Sequence, residues 1–461
     1  MIRLFKHYFP HAVVVLAALD FVVLVGAGEL AWQIRANQIG SQLGSIVARW
    51  TALGVFAAVM LLAMISVGVY GAAALRSMRY AAARLIVAVS LGIITLAVIE
   101  FFIPGSAFWR STLLYAIGLA IIALVFNRLL VGWLLGADAF RRRIVVLGDG
   151  KRALRLKHLS EKPEAGFAIA EYVAMNEANA VIEGAIPRAD VHDLGRLVDA
   201  RGVSEVVLAL EERRNSLPLK DLLRVKTAGV DVNDFGTFME RETGRVDLDT
   251  LNPSWLIFSD GFASGRTVSA AVKRVFDVVV SLILLAVTAP LIALFALLVR
   301  LDSPGPALFR QTRIGLYGEP FVLLKLRSMR TDAERDGAKW ATVNDPRVTR
   351  VGRFIRQVRI DELPQLWTVL SGRMSFVGPR PEVPHFVADL AQQLPYYAER
   401  HMVKPGITGW AQINYPYGAS IEDARHKLEY DLYYAKNYTP FLDLVILLQT
   451  LRVILWSEGA R

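Results

Sequence analysis

Asp361 and Glu362 stand side by side between a basic stretch, Arg356-Gln357-Val358-Arg359-Ile360, and the sequence Leu363-Pro364-Gln365-Leu366. Adjacent carboxylates point in different directions and can do two jobs. One can attack phosphorus as a nucleophile. The other can help hold Mg²⁺, which takes oxygen ligands and keeps substrate phosphates and water around it. A carboxylate approaching a diphosphate meets like charge, so cations must offset the repulsion. Candidates surround the pair in sequence: Arg313, Lys325 and Arg327 before it, Arg356 beside it, and Arg380 after it in Gly378-Pro379-Arg380-Pro381. Arginine suits bidentate phosphate contacts better than lysine does. Taken singly, each cation fits a solvated or headgroup-facing surface equally well. The acids have a plainer role too, capping a helix N-terminus. Capping uses one acid and does not call for the cations.

The elements that must position these groups can be read from spacing. Pro364 suits the first position of a helix and Gly372 its stop. Leu363, Leu366, Trp367 and Leu370 recur at i, i+3, i+4, i+7, giving that helix one apolar face. Phe321–Arg330 reads as a strand with a basic end, on which Lys325 and Arg327 share a face. Arg353, Arg356 and Arg359 have the spacing that lines up along one side of a helix. Pro440–Trp456 is strongly apolar but short for a crossing, which suits a helix at the membrane interface.

Upstream, Val278–Val299 is long enough to span a bilayer. Pro290, in Thr288-Ala289-Pro290, removes a backbone bond near its middle, and Lys273, Arg274 and Arg300 flank both ends. Cations on both sides place both ends in the cytoplasm. A helix–break–helix that enters the membrane and turns back, over residues 273–301, satisfies both observations; a kinked crossing helix is the simpler competitor. Four further apolar segments, His11–Trp32, Ile46–Tyr70, Leu85–Ile103 and Leu113–Leu135, approach the length of a crossing. Arg3 and Lys6, then Arg76, Arg79 and Arg84, then Arg141–Arg143 mark the cytoplasmic sides, against scattered Arg35, Arg49 and Arg110 elsewhere. Asp20 and Glu100 fall within or at the edge of this region, where acids are functional candidates by default; structural roles are preferred for both. Met1–Lys6 reads as the basic flank of a first transmembrane helix rather than as part of a cleaved signal peptide.

From Arg143 to Arg266 strands alternate with helices: 144–148, 203–210 and 230–232 against 192–201 and 219–228. That pattern implies a parallel, Rossmann-like sheet. Gly148-Asp149-Gly150 follows the first strand, but a third glycine is missing and the motif alone is weak. A degenerate nucleotide fold used for assembly or regulation is the preferred reading. The 54% hydrophobic content and net charge of +10 fit several membrane segments with cytoplasmic cations. The basic runs sit beside membrane segments, which argues against nucleic acid. With no cysteine, disulfides, thiolate metal sites and a cysteine nucleophile are excluded.

Together, the segment from Lys273, Phe321–Met329, Arg356–Leu366, Met374–Pro381 and Lys404-Pro405-Gly406-Ile407-Thr408-Gly409-Trp410-Ala411-Gln412 resemble the monotopic bacterial phosphoglycosyl transferases. The match covers about 270–461; with four N-terminal helices and a Rossmann-like domain, the chain is similar to the large, exopolysaccharide-initiating members. The resemblance implies a membrane α/β protein in three parts: a four-helix transmembrane domain (1–140), a Rossmann-like domain (141–266) and a C-terminal α/β catalytic domain with a re-entrant membrane helix (267–461). It implies that Asp361 attacks the β-phosphate of a UDP-sugar, releasing UMP, and that undecaprenyl phosphate then collects the phosphosugar. Glu362 would bind Mg²⁺, with Asp431 and Asp443 supporting the metal unless they cap helices instead. Arg380 and Arg356 would bind nucleotide or phosphate, with Lys325, Arg327 and Arg313 contributing. Ala289-Pro290 stands where the family commonly has Ser-Pro, with Thr288 positioned to serve a carbonyl freed by proline. The resemblance also implies the bacterial inner membrane, a catalytic domain on its cytoplasmic face, contact with membrane lipids and a homodimer. Glucose is the favoured sugar, with galactose and N-acetylated sugars open. Two other classes compete: a transporter, for which polar residues in the membrane segments are too scarce, and a nucleotide-sensing scaffold without turnover.

Overall fold

The computed structural model describes residues 2–4, 7–9, 11–40, 45–70, 78–103, 108, 110–135, 141–162, 165–175, 181–211, 217–251, 267–333, 345–416, 418 and 420–456. Lys6, Arg76 and Arg266, used in the sequence reading, lie outside them.

After a hairpin of β1 (Ile2–Leu4) and β2 (His7–Phe9) come α1 (His11–Ile39), α2 (Ile46–Ser66), α3 (Met78–Phe102) and α4 (Arg110–Leu135). Each of these helices is long and apolar enough to cross a membrane. They pack through small and aliphatic residues, including Ala31, Phe56, Met60, Ala120 and Leu124, and leave Val22, Ile94 and Leu114 facing outward. Asp20 is fully buried in this bundle. Arg128 pairs with it at 2.6 Å, and Asn127 and Tyr70 donate to it at 2.7 and 2.8 Å. Pairing and hydrogen bonding make a buried charge tolerable, so Asp20 has a structural account. Glu100 is half-buried near the end of α3.

A five-stranded parallel sheet follows, in the order β5-β4-β3-β6-β7: β3 (Arg142–Leu147), β4 (Phe167–Ala174), β5 (Ile186–Pro187), β6 (Glu205–Leu208) and β7 (Asp231–Asp234). Helices α5 (Lys151–Ser160), α6 (Leu194–Arg201), α7 (Leu219–Thr227) and α8 (Phe235–Thr243) cover it. Ile144 and Val146 pack on one face and Val145 and Leu147 on the other, as strand alternation requires of a doubly covered sheet. Numbered along the domain this order is 3-2-1-4-5, the first five strands of the doubly wound dinucleotide-binding sheet. Gly148 has φ +124°, and a Cβ there would come within 3.0 Å of the Ala209 backbone, so glycine is required. Gly150 caps α5, and Ala153, fully buried, takes the third position of the fingerprint. Alanine is allowed there, so the motif is more complete than the missing third glycine suggests.

The chain divides into two units, Met1–Thr243 and Gly244–Arg461. The expected boundary at 266 moves back because Val246 and Leu248 pack with Leu390, Tyr397, Leu428 and Leu432 of the second unit. That unit contains α9 (Thr267–Asp302), the antiparallel pair β8 (Leu308–Ile314) and β9 (Pro320–Leu326), α10 (Arg350–Gln357), a 3₁₀ turn over Ile360–Glu362 and α11 (Gln365–Leu370). β10 (Ser375–Val377) and β11 (Gly406–Thr408) pair in parallel. The remaining helices are α12 (Pro384–Gln393), α13 (Trp410–Asn414), α14 (Ile421–Asn437) and α15 (Pro440–Trp456).

α9 is the fifth helix apolar enough to cross a membrane, and it continues through Pro290. The expected interruption at Ala289-Pro290 is therefore not a gap in the helix. Thr288 Oγ1 donates to the carbonyl of Leu284 at 2.6 Å, a bond that bends helices. It does not serve the carbonyl of Ala286, the one that Pro290 deprives of a partner. Both ends of α9 are tied to its own unit. At the start, Lys273 pairs with Asp443 at 2.6 Å, Arg274 donates to the Val369 carbonyl at 2.8 Å, and Ser375 Oγ donates to Asp277 at 3.0 Å. At the finish, the Val351 amide donates to Asp302 at 3.0 Å and Phe295 stacks on Phe354.

Candidate active site

Asp361 and Glu362 lie in the 3₁₀ turn just before α11, with Pro364 flanking that helix rather than opening it. Neither the turn nor α11 receives a side-chain cap, so capping does not account for the acids. The chain enters the turn through Arg359, whose φ of +62° is uncommon for a residue with a Cβ. α10 ends at Gln357, so Arg359 leaves the row of Arg353 and Arg356 expected on one helix. Its guanidinium instead turns to Glu362, 3.7 Å away.

Glu362 gathers charge. Its Oε1 accepts from Lys325 Nζ at 3.3 Å and Arg380 Nη2 at 3.4 Å. Burial alone would raise its pKa, but Lys325, Arg380 and Arg359 hold it down at about 2. Asp361 behaves oppositely. Burial, then the charge on Glu362, pushes its carboxyl up to about 6, against the pull of Lys325, Arg356 and Arg359. Its buried Oδ1 has no hydrogen-bond partner. A carboxylate kept short of partners retains its nucleophilicity, whereas one held by cations through one oxygen makes a fixed anion with its other oxygen left to act. The two environments thus push the two carboxyls in opposite directions.

Both acids line an open cleft of about 2200 Å³, with Arg313, Lys325, Arg356 and Arg380 along its walls. Leu284, Thr288 and Leu297 of α9 line it too, so a charged floor continues into an apolar wall. Among the described residues no three acidic or imidazole side chains gather to hold a metal unaided. Two carboxylates, one ionised and one with a spare oxygen, match the donor set that Mg²⁺ completes with substrate phosphates and water.

Residues 268–457 match the family described as bacterial sugar transferase, and residues 65–227 match a CoA-binding domain. A UDP-glucose:undecaprenyl-phosphate glucose-1-phosphate transferase of Caulobacter vibrioides is 45% identical over 190 residues, which cover 41% of this chain and 71% of that protein. The chain belongs to the bacterial sugar transferases. These are bacterial phosphoglycosyl transferases. An Aeromonas hydrophila UDP-N-acetylgalactosamine-undecaprenyl-phosphate N-acetylgalactosaminephosphotransferase is 42% identical over 240 residues, 52% of this chain and 56% of that protein. An undecaprenyl-phosphate glucose phosphotransferase of Komagataeibacter xylinus is 45% identical over 194 residues, 41% of this chain and 36% of that protein. The chain thus matches about half or less of the length of these last two relatives.

Every acid and cation expected at the sugar transferase site except Asp443 lines the cleft, but several are engaged away from the acid pair. β9 ends at Leu326, so strand alternation no longer governs Arg327. Arg327 donates to the carbonyls of Ser303 at 2.7 Å and Pro304 at 2.9 Å, closing the end of α9. Asp431 and Asp443 do not join Glu362 in a metal cluster. Asp431 is buried against Arg400 at 2.7 Å, and Asp443 holds Lys273 while accepting from Tyr434 at 2.7 Å. Arg313 donates to the carbonyl of Pro381 at 3.0 Å and pairs with Glu382 at 3.6 Å, steadying the turn that carries Arg380.

The sequence reading missed Arg400, the partner of Asp431, and the meaning of three glycines. A Cβ on Gly378 would fall 2.1 Å from the Lys404 carbonyl oxygen, one on Gly406 2.1 Å from the Gly378 nitrogen, and one on Gly409 2.2 Å from the Gly378 oxygen. The stretches around Gly378 and Gly406–Gly409 are therefore one seam of backbone against backbone. Their glycines, each stretch holding a proline next to a glycine, were the available signal.

Proposed function

We propose that this protein transfers a sugar 1-phosphate from a UDP-sugar to undecaprenyl phosphate, the first membrane step of exopolysaccharide or O-antigen assembly. Asp361 Oδ1 attacks the β-phosphorus. The bond from that phosphorus to the oxygen bridging the two phosphates breaks, and UMP leaves with the electron pair. The phosphosugar remains on Asp361. A phosphate oxygen of undecaprenyl phosphate then attacks the same phosphorus, the Asp361–phosphorus bond breaks, and the carboxylate is restored. Arg380, Lys325 and Arg356 face the phosphates and offset charge as the anions meet. Glu362, beside Asp361, would hold Mg²⁺, which when bound supplies further positive charge against the diphosphate.

One observation carries this reading: an unpartnered carboxylate oxygen on Asp361 in a cleft walled by cations and continuous with a membrane helix. The names of the relatives support the acceptor, and they include both glucose and N-acetylgalactosamine transferases. The preferred donor is UDP-glucose. The re-entrant path of α9 is supported by the attachment of both its ends to one folded unit. Thirty-six residues of straight helix would reach about 54 Å. Both tied ends then lie on the cytoplasmic side of the inner membrane, where UDP-sugars are made.

The test is release of UMP and capture of the intermediate. Incubation with UDP-glucose labelled in the sugar should leave label on the wild type and none on Asp361→Asn. UMP release by Asp361→Asn at the wild-type rate would refute the covalent route. Binding of nucleotide without release from any UDP-sugar would favour a sensing scaffold.

A further inference from the structure

We infer that Arg400 and Asp431, which line the same cleft but are almost fully buried, are a positioning pair that sets Arg380 over the acid pair and acts through it. The inference rests on the reading of Arg380 as a contact for the donor's diphosphate. Pro379-Arg380-Pro381 cannot be held by its own amides at two of three positions, because proline has no N–H. It is held by its carbonyls. The Gly406 amide donates to the Pro379 carbonyl at 2.9 Å. Arg400 Nη2 donates to the Arg380 carbonyl at 2.9 Å. Arg313 Nη1 donates to the Pro381 carbonyl at 3.0 Å. Three donors from three different segments thus fix three successive carbonyls of a turn whose one long cation reaches Glu362.

Arg400 is the central donor and is itself fixed. It is 5% exposed, and Asp431, 2% exposed, accepts from its Nε at 3.0 Å and from its Nη2 at 2.7 Å. Tyr397 Oη accepts from its Nη1 at 3.1 Å. A planar fork gripped on both sides holds a carbonyl with little freedom, which a lysine ammonium cannot reproduce. The arrangement also gives Asp431 a task other than metal binding: its carboxylate is committed to Arg400.

A double-mutant cycle on the full chain in nanodiscs tests this. Arg400→Lys keeps a cation opposite Asp431 but loses the fork. In the Arg380-containing protein it should weaken UDP binding and lower kcat/KM for UDP-glucose by roughly tenfold, through KM more than kcat. In an Arg380→Ala background the same change should cost less than about twofold, since the group it positions is gone. The fall in melting temperature caused by Arg400→Lys should be equal in both backgrounds. An equal fold-loss of UDP affinity in both backgrounds would overturn the inference, because Arg400 would then act independently of Arg380. Asp431→Asn should show the same dependence on Arg380, and independence would count equally against the pair. UDP affinity is read without turnover. Coupling in UDP binding with no UMP release would sink the transfer reading and leave the pair standing; UMP release without coupling would do the reverse.

Discussion

At the scale of residues, the acid pair works by contrast. Asp361 titrates upward because burial and Glu362 disfavour its charge; Glu362 titrates downward because three cations favour it. In the proposed route Asp361 must be deprotonated to attack, so activity should be lost as pH falls through the raised value. The pH profile of kcat/KM should show an acid limb near pH 6, with a slope of about tenfold per pH unit below it. Glu362→Gln removes the neighbouring negative charge and frees the cations to act on Asp361. Its residual activity should carry an acid limb moved to lower pH; a limb moved upward would contradict the assignment of charge in the pair. The acids and most of their cations were legible from residue type and spacing. The fate of Arg327, Asp431 and Asp443 was not, because a long side chain can turn toward a helix end or an internal partner that lies far away in sequence.

At the scale of elements, α9 and the glycine seam set the geometry. Lys273–Asp443 joins the start of α9 to α15, with both side chains largely buried. Asp443→Ala would leave the ammonium without its carboxylate, at a cost of about 3 kcal/mol. The melting temperature in detergent should fall by several degrees; an unchanged value would mean that the pair does not anchor the helix. Gly409→Ala forces a methyl group to within 2.2 Å of the Gly378 oxygen. The backbone must part, and UDP affinity should fall at least about tenfold while the protein still inserts into membranes. Strand and helix signals were clearest where apolar runs were long, as in β3 and α1–α4. β5 has two residues and β4 carries Glu171 within its apolar run, so neither announced itself. The continuation of α9 through Pro290 departs from the expected helix–break–helix, because proline removes one backbone bond without having to end a helix.

At the scale of the whole molecule, the question is which side of the membrane each part faces. The chain has no cysteine, so single cysteines report without background. In the loop after α9, Gly305 does not suit a cysteine, since it has φ +119° and a Cβ there would meet Arg327 Nη1 at 2.2 Å. Tyr317, 78% exposed at the tip of the β8–β9 hairpin, and Ile39, 46% exposed at the end of α1, serve instead. An impermeant maleimide should label Ile39→Cys in intact cells, and Tyr317→Cys only after permeabilisation. Labelling of Tyr317→Cys in intact cells would put the catalytic unit outside and exclude the re-entrant path. The charge pattern carried this expectation from the start; the moved boundary at Thr243 did not show, because the packing of Val246 and Leu248 is made with residues some 140 positions or more downstream.

The backbone seam under the Arg380 turn has an evolutionary consequence. Where two stretches of backbone touch without side chains, substitution has nothing to vary, and every change is an enlargement. A lineage moving from one sugar to another therefore has no freedom to retune the Arg380 turn by this route. Adaptation to a new donor must be written elsewhere in the cleft, in side chains that can change size without opening the seam. Grafting cleft-wall residues between glucose and N-acetylgalactosamine transferases, with the three glycines untouched, is where exchange of specificity should be sought.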